Sequence, residues 1–153
     1  MNVDARLREL GIELPPAPTA LAAYVPVVVA GGFAFVAGQV PLDAGAVTTA
    51  GKLGRDVDVE AGASAARRCA LQALSALQAE LGSLDRVRRM VRVVVYVASA
   101  EGFAEQPKVA NGASELLVDV FGDGGRHARA AVGVAELPLG AAVEVELMVE
   151  LNA

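Results

Sequence analysis

The chain has 153 residues, 54% of them hydrophobic, and a formal net charge of −5. That length fits one domain with a substantial core, and an isoelectric point near 4.9 argues against a general nucleic-acid binder. No apolar run is long enough to span a bilayer, so the mean hydropathy of +0.46 predicts a second buried surface and therefore an oligomer.

In chain order, residues 3–10 predict a short helix stopped by Gly11, and residues 13–18, rich in proline, predict an extended arm. The opening residues lack the basic-then-apolar layout of a secretion signal. Residues 24–30 and 33–36 are β-rich around Gly31-Gly32, a two-residue hairpin signal. Residues 43–58, rich in Gly, Ala and Thr, predict a surface loop or a weak strand pair. The clearest helix covers residues 59–81, with Asp58 as N-cap and Gly82 as terminator.

Residues 88–97 predict a strand, with Val91, Val93, Val95 and Val97 on one face and Met90, Arg92, Val94 and Tyr96 on the other. A second helix spans 103–121, and Asp123-Gly124-Gly125 closes it. The run after Ala128 then pairs with residues 143–147 in a predicted C-terminal hairpin. Hairpin, helix, strand, helix, hairpin predicts an α+β domain with both helices on one sheet face. The other face, including Met90, Val94 and Tyr96, is left for further copies of the chain.

Cys69 is the only cysteine, which excludes an intrachain disulfide and fits a reducing cytoplasm. Among packed alanines and leucines it reads as an inert thiol. One histidine and one cysteine cannot build a Cys/His zinc site, and there is no phosphate-binding loop or zinc-protease motif. Arg86, Arg88, Arg89 and Arg92 are split by strand alternation between two faces, so they form no nucleic-acid stripe.

Arg129 stands out as a lone guanidinium entering an apolar strand. Its planar fork suits a carboxylate, and burying it unpaired is very costly. The partner is either one of the chain's own glutamates, Glu144 across the hairpin being the candidate, or a small acid in a cleft. His127, two residues earlier, projects to the same side and is either a surface loop histidine or an acid–base group. Asn111-Gly112 interrupts a helix with two poor helix formers. The amide of Asn111 either faces solvent or turns towards a ligand, with Gly112 permitting close approach.

Several segments together resemble the YjgF/RidA family, the reactive intermediate deaminases, often labelled endoribonuclease L-PSP. They are Tyr24-Val25-Pro26, Val36-Ala37-Gly38-Gln39-Val40-Pro41, Asn111, Ala128-Arg129-Ala130-Ala131-Val132, Leu137-Pro138 and Val143-Glu144-Val145-Glu146. The N-terminal extension, the 43–58 loop and the His127 context resemble a divergent branch, and the likeness runs from about residue 18 to the end of one domain covering 1–153.

The resemblance implies a chorismate-mutase-like fold and a homotrimer with a central barrel and ligand clefts between subunits. It also implies cofactor-free, metal-free hydrolysis of small 2-imino and enamine acids to 2-keto acids and ammonia. Arg129 would hold the substrate carboxylate and Glu144 would handle water and protons. Tyr24, Gly38 and Asn111 would line the cleft beside His127, as would Ala37, where many members have serine, and Ala131, often cysteine. The alternatives are a non-catalytic trimer that binds small carboxylates and, least favoured, an endoribonuclease.

Overall fold

The structure is a computed structural model that describes residues 2–19 and 22–153. A short helix α1 (Val3–Glu9) precedes the irregular 10–19 arm. The hairpin β1 (Val27–Ala30) and β2 (Phe33–Gln39) follows, then the two-residue strands β3 (Leu42–Asp43) and β4 (Ala46–Val47). Next come α2 (Val59–Leu81), β5 (Val87–Ala98), α3 (Gln106–Phe121), β6 (Ala128–Val134) and β7 (Val143–Leu151). The main sheet runs β1-β2-β7-β5-β6.

The Gly31-Gly32 turn forms as predicted, with φ of 60° and 82°, a pair of left-handed values that glycine adopts without a Cβ clash. The strand before it starts at Val27, later than predicted, so Tyr24 lies outside the sheet. The 43–58 segment holds one weak strand pair, Leu42↔Val47 and Asp43↔Ala46.

Helix α2 begins and ends where its signals lie. Asp58 accepts from the Ala61 amide at 2.8 Å, and Gly82 closes the helix at φ 80°. Its polar residues tie other segments to it. Gln72 accepts from the Leu42 amide and donates to the Val40 carbonyl, and Ser75 donates to Pro15 of the arm at 2.7 Å. Cys69 is fully buried, its thiol directed at the Val143 carbonyl, and burial pushes that thiol well above its ordinary range. An inert packing role follows.

The core lies between the helices and one face of the sheet. Along β7, Val143, Val145, Leu147, Val149 and Leu151 are buried, alternating with half-buried Glu144, Glu146, Met148 and Glu150. Among the described residues no helix covers the opposite face, where Val28, Phe35 and Val132 stand 50%, 45% and 42% exposed.

Three expectations are corrected. The predicted C-terminal hairpin does not form. β6 pairs with β5 in parallel, and β7 lies on the other side of β5, antiparallel to it. A strand as apolar as β5 gains from ladders on both edges, and the connector around Pro138–Gly140 is long enough to carry the chain across.

Met90 does not belong to the open face. A bulge between Met90 and Arg92 sets Met90 opposite Val149, where it is fully buried, and reverses the alternation for the rest of the strand. Gly112 serves helix packing rather than a ligand. A Cβ there would fall 1.9 Å from the Ala63 carbonyl oxygen, so its absence lets α2 and α3 touch.

Candidate functional site

The residues singled out in the sequence gather into two groups at different places on the sheet, one at its β6 edge and one in its interior. The first lies on α3 and on β6, an edge strand. Arg129 pairs in register with Val93, and therefore faces the helices. Its Nη1 donates to Asn111 Oδ1 at 2.8 Å and to Ser114 Oγ at 3.2 Å. Among the described residues no carboxylate lies within ion-pairing distance of this guanidinium. The internal ion pair with Glu144 is thereby excluded. Ala131, two residues on, sits half-buried on the same side against the core.

His127 precedes β6 and joins this group through Ser114. Its Nδ1 lies 2.7 Å from the Gly125 carbonyl oxygen and its Nε2 lies 2.9 Å from Ser114 Oγ. A carbonyl only accepts, so Nδ1 carries the proton. With the ring neutral, Nε2 accepts from the Ser114 hydroxyl, and Ser114 in turn accepts from Arg129. The half-buried ring is fully engaged on both nitrogens, more than a loop histidine requires. Ser114 was not anticipated in the sequence. Its signal was its place three residues after Asn111, on the same stripe of α3.

The second group lies where β2 meets β7. Gly38 and Glu144 are in close contact, since a Cβ on Gly38 would fall 2.2 Å from Glu144 Oε1. Ala37 is anchored by its amide, which donates to the Pro26 carbonyl at 2.8 Å and so holds the segment carrying exposed Tyr24 beside it. Burial, then the neighbouring Glu146, raises the Glu144 carboxyl above its ordinary value. The Tyr96 hydroxyl donates to Glu146, and this bond, with burial next, raises Tyr96 as well. Two acids thus share one strand face, and one of them is held by a phenol.

The two groups do not meet within one chain. Glu144 pairs with Tyr96, whereas Arg129 shares its row with Val93 and Leu147, three residues along and on the other sheet face. At a strand spacing of about 4.8 Å, their backbones stand about 14 Å apart.

Fold and site together define a chorismate-mutase-like α+β domain, with helices on one face of a mixed sheet. Residues 4–151 match the family described as "YjgF/chorismate_mutase-like, putative endoribonuclease", and the chain belongs to that family. It is 53% identical over 153 residues to Protein TCP17 of Trypanosoma cruzi, an alignment covering 99% of this chain and 95% of that protein. It is 43% identical to Atu1372 of Agrobacterium tumefaciens, described as of unknown function, with a TM-score of 0.89 over 99% of this chain and 92% of that one. The YjgF gene product of E. coli superposes with a TM-score of 0.64 at 25% identity, over 89% of this chain and 94% of that one.

Proposed function

We propose that the protein is a cofactor-free hydrolase of small 2-imino and enamine acids, acting in clefts between the subunits of a homotrimer. The observation that carries this reading is the state of Arg129. Its side-chain hydrogen bonds run from Nη1 to neutral side chains, and it has no carboxylate partner among the described residues. A guanidinium held this way and left exposed on an edge strand suits an incoming carboxylate. The missing half, Gly38 with Glu144, comes in this reading from a neighbouring copy, whose open sheet face also covers the exposed Phe35 and Val132.

The chemistry needs no bound group. Arg129 fixes the substrate carboxylate and orients C2 of the protonated imine. Glu144, ionised, takes a proton from water as the water oxygen bonds to C2, which gives a carbinolamine. That proton passes to the amine nitrogen, the C–N bond breaks, and ammonia leaves as the C2 hydroxyl gives its own proton to the freed Glu144 carboxylate and becomes the carbonyl of the 2-keto acid. Glu144 then passes that proton to ammonia, which departs as ammonium. The raised carboxyl of Glu144 suits both halves of this exchange, because a group poised nearer neutrality accepts and returns a proton readily.

Ala37 and Ala131 favour a second reading, in which the cleft binds small carboxylates without turnover, since neither contributes a polar group. An RNA substrate has less support, because the chain carries a net −5 and Arg88 is paired with Glu150.

To decide among these, an amino acid oxidase generates the imine, semicarbazide traps it, and added protein competes with the trap. Wild type is expected to outpace semicarbazide and Arg129→Ala to fail. If both compete equally poorly, the deaminase reading is wrong. Saturable 2-ketobutyrate binding in that event supports the binding reading.

A further inference from the structure

We infer that Ser114 and His127 are positioning residues that present one particular edge of Arg129 to a carboxylate, an inference that rests on the proposed carboxylate-binding role. A guanidinium has five N–H donors and two edges that match a carboxylate. One edge joins Nη1 and Nη2, and the other joins Nε and Nη2. Here both hydrogens of Nη1 are taken, by Asn111 at 2.8 Å and Ser114 at 3.2 Å. Nε and Nη2 have no partner among the described residues. Only the Nε–Nη2 edge therefore remains for a bidentate ligand.

The Ser114 hydroxyl has two roles to fill, and His127 decides which lone pair faces Arg129. The Gly125 carbonyl, 2.7 Å from Nδ1, holds the imidazole proton on that nitrogen. Nε2 is left as an acceptor and draws the hydroxyl proton of Ser114 across 2.9 Å. With its proton committed, Ser114 can only accept from the Arg129 side. The result is a one-directional chain from Arg129 through Ser114 and His127 to the backbone at Gly125. Asn111, by accepting at Oδ1, has its amide nitrogen left as a further donor towards the same ligand. The buried faces of Ala113, Leu116 and Leu117 fix α3, and with it the spacing of Asn111 and Ser114.

His127 is the only histidine in the chain, so one set of imidazole nitrogen signals reports the relay directly. Two-bond proton–nitrogen NMR on the wild-type protein is expected to show the proton on Nδ1 in the neutral ring. A proton on Nε2 overturns the inference without any variant. Calorimetry with 2-ketobutyrate then compares Ser114→Ala with Ser114→Thr. The alanine variant is expected to bind about tenfold more weakly, the loss of one charge-assisted hydrogen bond. The threonine variant restores affinity to within about twofold, a rescue that a packing defect at Ser114 does not predict.

In turnover, Ser114→Ala raises KM and leaves kcat nearly unchanged, whereas Glu144→Gln lowers kcat. Should Ser114→Ala not fold, His127→Phe removes the acceptor for the hydroxyl and is expected to weaken binding about as much. Wild type and Ser114→Ala binding 2-ketobutyrate equally well overturns the positioning role alone. A wild type that binds none overturns the proposed function, and the carboxylate-presenting role falls with it.

Discussion

Gly38 makes room for a carboxylate, and its replacement separates the site from the fold. A methyl group at Gly38 would sit 2.2 Å from Glu144 Oε1, the far end of a flexible side chain that can swing aside. Gly38→Ala is therefore expected to change stability by less than about 1 kcal/mol while lowering imine hydrolysis at least about tenfold. Thermal melting and the trapping assay read the two effects separately. Glu144 adds a pH signature. Its carboxyl is raised above the ordinary 4.5 by burial and by Glu146, so the folded state holds the proton more tightly than the unfolded chain. Stability then falls as pH rises from that ordinary value through the raised one, and the penalty is fully present above it. Glu144→Gln removes the penalty. The variant should melt higher than wild type at neutral pH, with the difference vanishing in acid below the ordinary value. Equal melting temperatures at neutral pH would refute this account of Glu144.

At the scale of elements, the same chemistry of small residues has a different consequence. A Cβ added to Gly112 would lie 1.9 Å from the backbone carbonyl oxygen of Ala63, and backbone cannot swing away. Gly112→Ala must push α3 off α2 and is expected to destabilise by about 3 kcal/mol in urea unfolding. Gly82→Ala is the control. It meets nothing within 4 Å but has φ 80°, and it should lose only about 1 kcal/mol. The helix limits were legible in the sequence because capping chemistry is local, as Asp58 and Gly82 illustrate. The β1–β2 hairpin was legible for the same reason, but the partners of β6 and β7 were not. Nothing within residues 128–151 says that β5 will insert between β6 and β7, because that choice depends on how many edges a distant valine-rich strand must satisfy. The Met90 bulge was hidden for a related reason. Strict alternation was the best local pattern, and only the partner Val149 reveals the slip. Ser114 escaped because a half-buried helix serine has no distinguishing pattern until Arg129 and His127 are seen around it.

For the whole molecule, the decisive fact is that one sheet carries Arg129 and Glu144 on separate strands, about 14 Å apart and on opposite faces. In the proposed trimer each cleft takes Arg129, Asn111 and Ser114 from one copy and Gly38 with Glu144 from the next. Subunit mixing tests that arrangement without a ligand-bound structure. Arg129→Ala homotrimers lack the Arg129 guanidinium in every cleft, and Glu144→Gln homotrimers lack the Glu144 carboxylate in every cleft, so each alone should be nearly inactive. Unfolding the two together in equal amounts and refolding them randomises the neighbours of each subunit. A cleft regains both native groups when its guanidinium half comes from the Glu144→Gln chain and its carboxylate half from the Arg129→Ala chain. With random assortment that happens in about one cleft in four, so the mixture should recover about a quarter of wild-type turnover per chain. If each chain instead completed its own site, every cleft would keep one lesion, and the mixture would stay as inactive as its parents. Native mass spectrometry on the same sample checks whether three chains assemble and whether the variants have exchanged. Mixed trimers with no recovered activity would therefore overturn the shared cleft.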